Sequence, residues 1–256
     1  MKKKIIAALA CRNKSSRLYG KPLQNLDIEK SVTILDYMIS AIKSIELINE
    51  VVLGISNGVE NQIFVDIAIK NNLKYIIGDE KDVLSRLISC CNISDATDIL
   101  RLSTESPYSH FEMLPEAINE HLSNNLDFTH LDDVPVGSGF ELISKSALLI
   151  SHAKGEERHR SELCTLYIRE NAGKFKISSK VADIKYRRMD LRLTVDYPED
   201  LVVCRAVYTA LNDELPIKLN RIIDFLDENP LLKSLIEKYA LESLEARKKI
   251  KHPLVS

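Results

Sequence analysis

The feature that most constrains this chain is a rhythm. Short apolar runs recur at "KIIAALA" (4–10), "EVVLGIS" (50–56), "KYIIGD" (74–79) and "DILRLS" (98–103), and amphipathic stretches separate them. The first run has no polar alternation, as expected of a strand buried on both faces. In "SVTILDYMISAIKSI" (31–45) the apolar residues fall three and four apart, which predicts a helix beginning near Ser31. Residues 61–72, 81–92 and 112–125 read the same way, with Pro115 tolerable in a first turn. "DFTHLD" (127–132) and "FELIS" (140–144) predict two further strands around Gly137 and Gly139. Strand and helix alternating at this spacing predict an α/β fold with a mostly parallel sheet and right-handed crossovers.

The rhythm breaks over 145–190, which is more charged and less periodic. It resumes with a predicted last strand, "LRLTVD" (191–196), and a helix over 197–212 that has Pro198 and acidic residues in its first turn. From Pro216 to about Lys251 the chain reads as two more helices, broken near "ENP" (228–230). There are no repeats and no low-complexity linker. This predicts one main unit over 1–212, whose 135–190 part is irregular, and a helical C-terminal extension over 213–256.

In parallel sheets of this kind, ligands sit beyond the carboxyl ends of the strands. The loop in that place after the first run is "ACRNKSSRLYGK" (10–21), which holds Arg12, Lys14, Arg17 and Lys21. Such a cluster is either a solvated basic face or a seat for a polyanion. The chain as a whole is not basic, with 35 Lys and Arg against 37 Asp and Glu, so a general nucleic-acid footprint is excluded. No Trp and 6% aromatic residues also leave little for base stacking. No apolar run is long enough to span a bilayer, so no membrane partner is expected. The basic, briefly apolar start resembles a signal peptide, but its apolar part is short and cationic residues follow at once. It reads as a first strand, and the chain as cytoplasmic. The five scattered cysteines show no CxxC and no zinc spacing, and read as small buried groups.

Several of these residue types suit phosphate chemistry. Arg12, Ser15, Ser16, Arg17 and Lys21 supply cations and hydroxyls, and Gly20 allows close approach of the backbone. GxxxxGK[ST] is absent, so the loop is not a Walker A motif. Glu105 lies just beyond one predicted strand, and Asp196 ends another. Two carboxylates at one sheet edge could share a hard cation through oxygen ligands. Equally, Glu105 could be a surface carboxylate and Asp196 the cap of the helix that follows.

"CRNKSSRLYGK" (11–21) resembles the "ARxxSSRLPGK" signature of the CMP-sugar synthetase group of nucleotidylyltransferases, which includes the CMP-sialic acid and CMP-KDO synthetases and the spore-coat-polysaccharide-type cytidylyltransferases. Further matches follow in order. "GDEKDVLSRL" (78–87) is similar to "GdedDVLdRy", "RLSTESP" (101–107) to "RiTaDcP" and "PVGSGFELIS" (135–144) to "PdGldvEvfs". "ELCTLYIREN" (162–171) is similar to "EHVTPYIREN", and "RLTVDYPEDL" (192–201) to "RLTVDtPEDL". The resemblance implies a doubly wound, GT-A-like fold and an enzyme that couples a nucleoside triphosphate, CTP by preference, to a sugar acid, sugar phosphate or similar acceptor. Pyrophosphate is released and Mg²⁺ assists. By position, Arg12 and Lys21 would bind the triphosphate, and Ser15, Ser16 and Arg17 would shape the nucleotide loop. Asp79 and Arg86 would wall the nucleotide pocket, Glu141 would face the acceptor, and Glu105 and Asp196 would hold the metal. The attacking oxygen would come from the acceptor. Pairing of two copies through about 135–185 is also implied.

The chain departs from the signatures at four places. Glu105 stands for an aspartate, Gly139 for an aspartate, Leu163 for a histidine (with His159 nearby) and Tyr19 for a proline. The nucleotide half is better kept than the acceptor half. That pattern fits a changed acceptor, or a weakened paralogue that binds nucleotide as a regulatory or partner subunit. A glycosyltransferase of similar fold would want DxD; "TES" offers one carboxylate and "LDD" (131–133) is poorly placed.

Overall fold

A computed structural model describes residues 3–251. Its first half follows the expected alternation: β1 (Ile5–Cys11), the hairpin β2 (Asn25–Asp27) and β3 (Val32–Thr33), α1 (Ile34–Lys43), β4 (Glu50–Ser56), α2 (Gln62–Lys70), β5 (Lys74–Gly78), α3 (Val83–Ile93), β6 (Asp98–Arg101) and α4 (Leu114–Ser123). The second half holds β7 (Phe128–Leu131), β8 (Glu141–Ser144), α5 (Lys145–Lys154), α6 (Glu157–Arg160), α7 (Leu166–Glu170), β9 (Ile177–Lys180), α8 (Pro198–Leu211), α9 (Leu219–Glu228) and α10 (Pro230–Lys251).

Seven strands form one sheet in the order β5-β4-β1-β6-β8-β7-β9. β5, β4, β1 and β6 run parallel, β8 is antiparallel to both of its neighbours, and β9 is parallel to β7. The sheet is therefore mostly parallel, with one reversed strand. β1 shows why a central strand reads as an unbroken apolar run. Ile5, Ala7, Leu9 and Cys11 belong to the core on one face of the sheet, and Ile6 and Ala8 to the core on the other. The chain leaves β1 for β4 and β5 on one side, then crosses to β6 on the other. The carboxyl ends of β1 and β6 flank this reversal, where α/β sheets place their ligands.

Three expectations are corrected. The first helix starts at Ile34, not near Ser31. Ser31 has φ 53°, Val32 and Thr33 pair with β2, and Thr33 closes a capping box with Asp36. Residues 191–196 form no strand and make a single bridge, between Arg192 and Val136. Their backbone groups find loop partners instead: Leu193 N–H donates to Val136 O, and Val195 N–H to Glu105 O at 2.9 Å. The stretch 145–190 is more regular than its composition suggests, holding three short helices and the edge strand β9. Ile177–Lys180 has no fully buried residue, so no apolar run announced it.

Ile217, Leu219, Ile222 and Leu226 of the α9 region and Ile236 of α10 join the core that lies under β1. All five cysteines are free and buried. No helix among the described residues is long and apolar enough to cross a membrane.

Candidate active site

Beyond the carboxyl ends of β1 and β6 lies a cleft of about 840 Å³, whose lining includes Arg12, Lys14, Ser15, Arg17, Lys21, Lys81, Arg101, Glu105 and Asp196. The basic loop reaches it because its base is pinned. Gly20 N–H donates to Asn13 O at 2.9 Å, and Asn13 N–H donates to Asn61 Oδ1 at 2.8 Å. Gly20 closes the loop at φ 61°, a conformation glycine adopts without strain. Lys21 then opens a short 3₁₀ turn, and it lines the cleft.

Each of the four loop cations meets a carboxylate. Arg12 lies 3.2 Å from Glu162, and Lys14 lies 3.2 Å from Glu60 and 3.6 Å from Glu80. Arg17 and Lys21 both reach Asp196 Oδ1, at 2.8 and 2.5 Å. Asp196 Oδ2 meets a third cation, Arg192, whose Nε also lies 3.0 Å from Asp200. Burial alone would raise the Asp196 carboxyl, but Lys21, Arg192 and Arg17 outweigh it and hold the group below its ordinary range. Asp200 goes the other way, because burial outweighs the help it receives from Arg192. Asp200 is also the residue that caps α8, accepting from Asp196 N–H at 2.8 Å and Tyr197 N–H at 2.9 Å. Asp196 is thereby left to face the cleft. The Val195–Glu105 backbone bond brings the segment after β6 alongside Asp196, and both carboxylates line the same cleft.

The family follows from the whole sequence. A model of the cytidylyltransferase family matches residues 6–250. The chain belongs to the cytidylyltransferase family. It is accordingly a nucleotidyltransferase. It is 27% identical over 229 residues to the spore coat polysaccharide biosynthesis protein SpsF of Bacillus subtilis, an alignment covering 88% of this chain and 95% of that one. Its fold is similar to that of a cytidylyltransferase from Leptospira borgpetersenii, with a TM-score of 0.82 at 21% identity, covering 92% of this chain and 98% of that one. It is also similar to a CMP:2-keto-3-deoxy-manno-octonic acid synthetase solved in complex with CTP, with a TM-score of 0.62 at 15% identity, covering 81% and 99%.

Beside the main cleft of this cytidylyltransferase family member is a second cavity of about 220 Å³, lined in part by Arg101, Asp132, Glu141 and Thr194. Glu141 stands opposite Arg101 in the β6–β8 register, and Arg101 Nη1 donates to it at 2.6 Å. Arg169 and Thr165 donate to its other oxygen, at 3.0 and 2.8 Å. Burial opposes ionisation of Glu141, yet Arg101 and Arg169 prevail and keep it below its ordinary range. Arg101 lines both cavities.

The structure thus gathers Arg12, Ser15, Arg17, Lys21, Glu105 and Asp196 in one cleft and puts Glu141 next door. Ser16, Asp79 and Arg86 do not line either cavity. Ser16 is exposed on the loop. Asp79 is committed to the turn before α3, accepting from the N–H groups of Lys81 and Asp82 at 2.7 and 2.9 Å, while its neighbours Glu80 and Lys81 form the wall. Arg86 is buried, and its Nη1 donates to Gly54 O at 2.8 Å and Cys11 O at 3.3 Å, tying β4 to the end of β1. His159 is buried and faces Glu170 at 2.8 Å, whereas Leu163 lines the cleft. Sequence reasoning overlooked Arg101, Arg169 and Arg192. A signal for Arg192 was available, because alternation along the strand predicted over 191–196 puts Arg192, Thr194 and Asp196 on one side.

Proposed function

We propose that this protein transfers a cytidylyl group from CTP to a sugar or sugar-like acceptor, releasing pyrophosphate, as a step in building surface glycans. One observation carries the reading: Arg12, Arg17 and Lys21 converge with Glu105 and Asp196 in a single cleft at the sheet reversal. In the reaction, an acceptor oxygen forms a bond to the α-phosphorus as the bond to the β-phosphate oxygen breaks. The electron pair leaves with pyrophosphate. Lys21, Arg17 and Arg12 stabilise the negative charge that accumulates on the departing phosphates. A proton on the attacking oxygen passes to solvent.

Glu105 and Asp196 suit Mg²⁺, which prefers a few carboxylate oxygens completed by water and phosphate. Among the described residues no cluster of three His, Cys, Asp or Glu side chains forms a complete cage, so the nucleotide's oxygens would complete the shell. When bound, the ion would neutralise phosphate charge. The acceptor would enter from the side of the 220 Å³ cavity, where Glu141 is held by Arg101 and Arg169. The setting would be the cytoplasm, with the protein acting as a homodimer.

The test is to incubate the protein with CTP, other nucleoside triphosphates, Mg²⁺ and a panel of sugar acids and sugar phosphates, measuring pyrophosphate. Release that needs both CTP and an acceptor is expected. No turnover, together with no heat of CTP binding, rejects the reading. Glu105 favours a second one, a subunit that binds nucleotide without turnover, because its extra methylene shifts an oxygen in the narrow octahedral shell Mg²⁺ demands. Glu105→Asp separates the two: a gain of turnover marks the weakened subunit, a loss an active enzyme tuned to glutamate.

A further inference from the structure

The face of α10 that carries Ile236, Tyr239, Ala240 and Ser243 recurs at helical spacing. Ile236 and Ala240 are fully buried, and Ile236 belongs to the core beneath β1, so this face is anchored. Its other two residues reach the basic cleft through intermediaries. The Tyr239 ring stacks on Tyr197, with centroids 4.1 Å apart and planes 14° apart. The Tyr197 ring in turn carries the Arg17 guanidinium 5.1 Å from its centroid. Ser243 Oγ donates to Tyr239 O at 2.8 Å, which leaves a lone pair to accept from Arg192 Nη1 at 2.5 Å. Arg192 is the buried cation that also holds Asp196 and Asp200. Neither Tyr239 nor Ser243 lines the cleft.

We propose that Tyr239 and Ser243 are positioning residues for the phosphate-binding side of the cleft. They act through Tyr197 on Arg17 and through Arg192 on Asp196. The inference rests on the CTP reading above. The physical need is clear for Arg17, a long side chain on an exposed loop. Unsupported, it loses rotamer freedom each time it grips a phosphate, and a ring surface that orients the planar guanidinium beforehand removes part of that cost. Arg192 needs fixing for a different reason. With two carboxylates to serve, its third contact decides where its charge sits between them.

The experiment compares parent, Tyr239→Ala, Tyr239→Phe, Ser243→Ala and the exposed control Leu241→Ala. Calorimetry with CTP and Mg²⁺ gives Kd, the pyrophosphate assay gives kcat and KM, and thermal unfolding is followed in parallel. Tyr239→Ala is expected to raise Kd and KM about three- to tenfold, the range a stacked aromatic pair supports, with kcat changed less. Tyr239→Phe keeps the stack and restores the parent values. Ser243→Ala raises Kd about threefold, the lower end of the effect of one lost hydrogen bond, because it acts on the cleft only through Arg192, and Leu241→Ala changes nothing. A Tyr239→Ala protein with a lower Tm but parental Kd and KM overturns the proposal, since α10 would then only support the fold. Should Tyr239→Ala fail to fold, parental Kd in Ser243→Ala overturns it. A parent that neither binds nor turns over CTP rejects the CTP reading itself, and this inference with it.

Discussion

Asp196→Asn is the perturbation with the sharpest consequence, because the carboxylate occupies the cations that a polyanion needs. Lys21 sits 2.5 Å from Asp196, with both side chains about 85% or more covered (12% and 15% exposed), so their charged hydrogen bond is worth ~1.5–3 kcal/mol. Arg17 is 45% exposed, and its bond to the same oxygen is worth at most ~1 kcal/mol. A metal-free triphosphate or pyrophosphate must detach both cations before it can use them. Asparagine still accepts one hydrogen bond, so roughly half of that cost is recovered, ~1.4 kcal/mol or about a tenfold tighter Kd. Turnover with Mg²⁺ moves the opposite way, falling at least ~100-fold as for other lost charge-stabilising contacts. Folding stability drops by ~1–3 kcal/mol, since Arg17, Lys21 and Arg192 are left crowded around a neutral group. The assays are calorimetry of pyrophosphate binding in excess chelator, and pyrophosphate release with CTP and Mg²⁺. Metal-free binding that is unchanged or weaker, or turnover that survives, refutes the argument that Asp196 both restrains the cations and serves the metal.

Three further outcomes are expected. Glu50 is opposed by burial, but Lys4, Lys74 and Ser94 hold its carboxyl at about 2, against an ordinary 4.5. The folded value lies below the unfolded one, so the stabilisation is complete above about pH 4.5 and is lost as pH falls toward 2; Glu50→Gln should cost ~1–2 kcal/mol at neutral pH and nothing near pH 2, by urea unfolding at both. Gly139→Ala should lower stability by ~2 kcal/mol or more, because a Cβ there would lie 2.3 Å from Leu131 O, and the fall in Tm checks it. Arg86→Ala should cost ~3 kcal/mol in urea, as it opens a cavity and strips the carbonyls of Cys11 and Gly54 of their donor; a loss below ~1 kcal/mol would mean that water replaces it without penalty.

Local signals were legible where one segment carries both its fold and its role. β1 is recognisable because it is apolar on both faces, and the loop after it because its four cations stand where a strand must end. Asp196 was legible as a site candidate even though its segment is not a strand, since its place just before a proline-led helix puts the aspartate at the same edge either way. What stayed hidden is non-local. The Arg101–Glu141 pair exists only because β8 runs antiparallel beside β6, and nothing near either residue says so. Arg86 is a cleft residue by resemblance, yet helix α3 buries it against the carbonyls of Cys11 and Gly54. Ser31 fails as a helix start because Thr33 offers a better cap and the residues between pair into a hairpin. Gly139, which looks like a lost acceptor aspartate, has no room for any side chain.

The buried cysteines have a practical consequence. With every native thiol enclosed by the fold, and Cys11 at the end of β1 pushed up to about 12 by burial, none is poised to ionise near neutral pH. A single cysteine introduced at exposed Tyr19 would therefore be the one readily alkylated position. A fluorophore placed there could report on the basic loop without stripping the molecule of its own sulfur first.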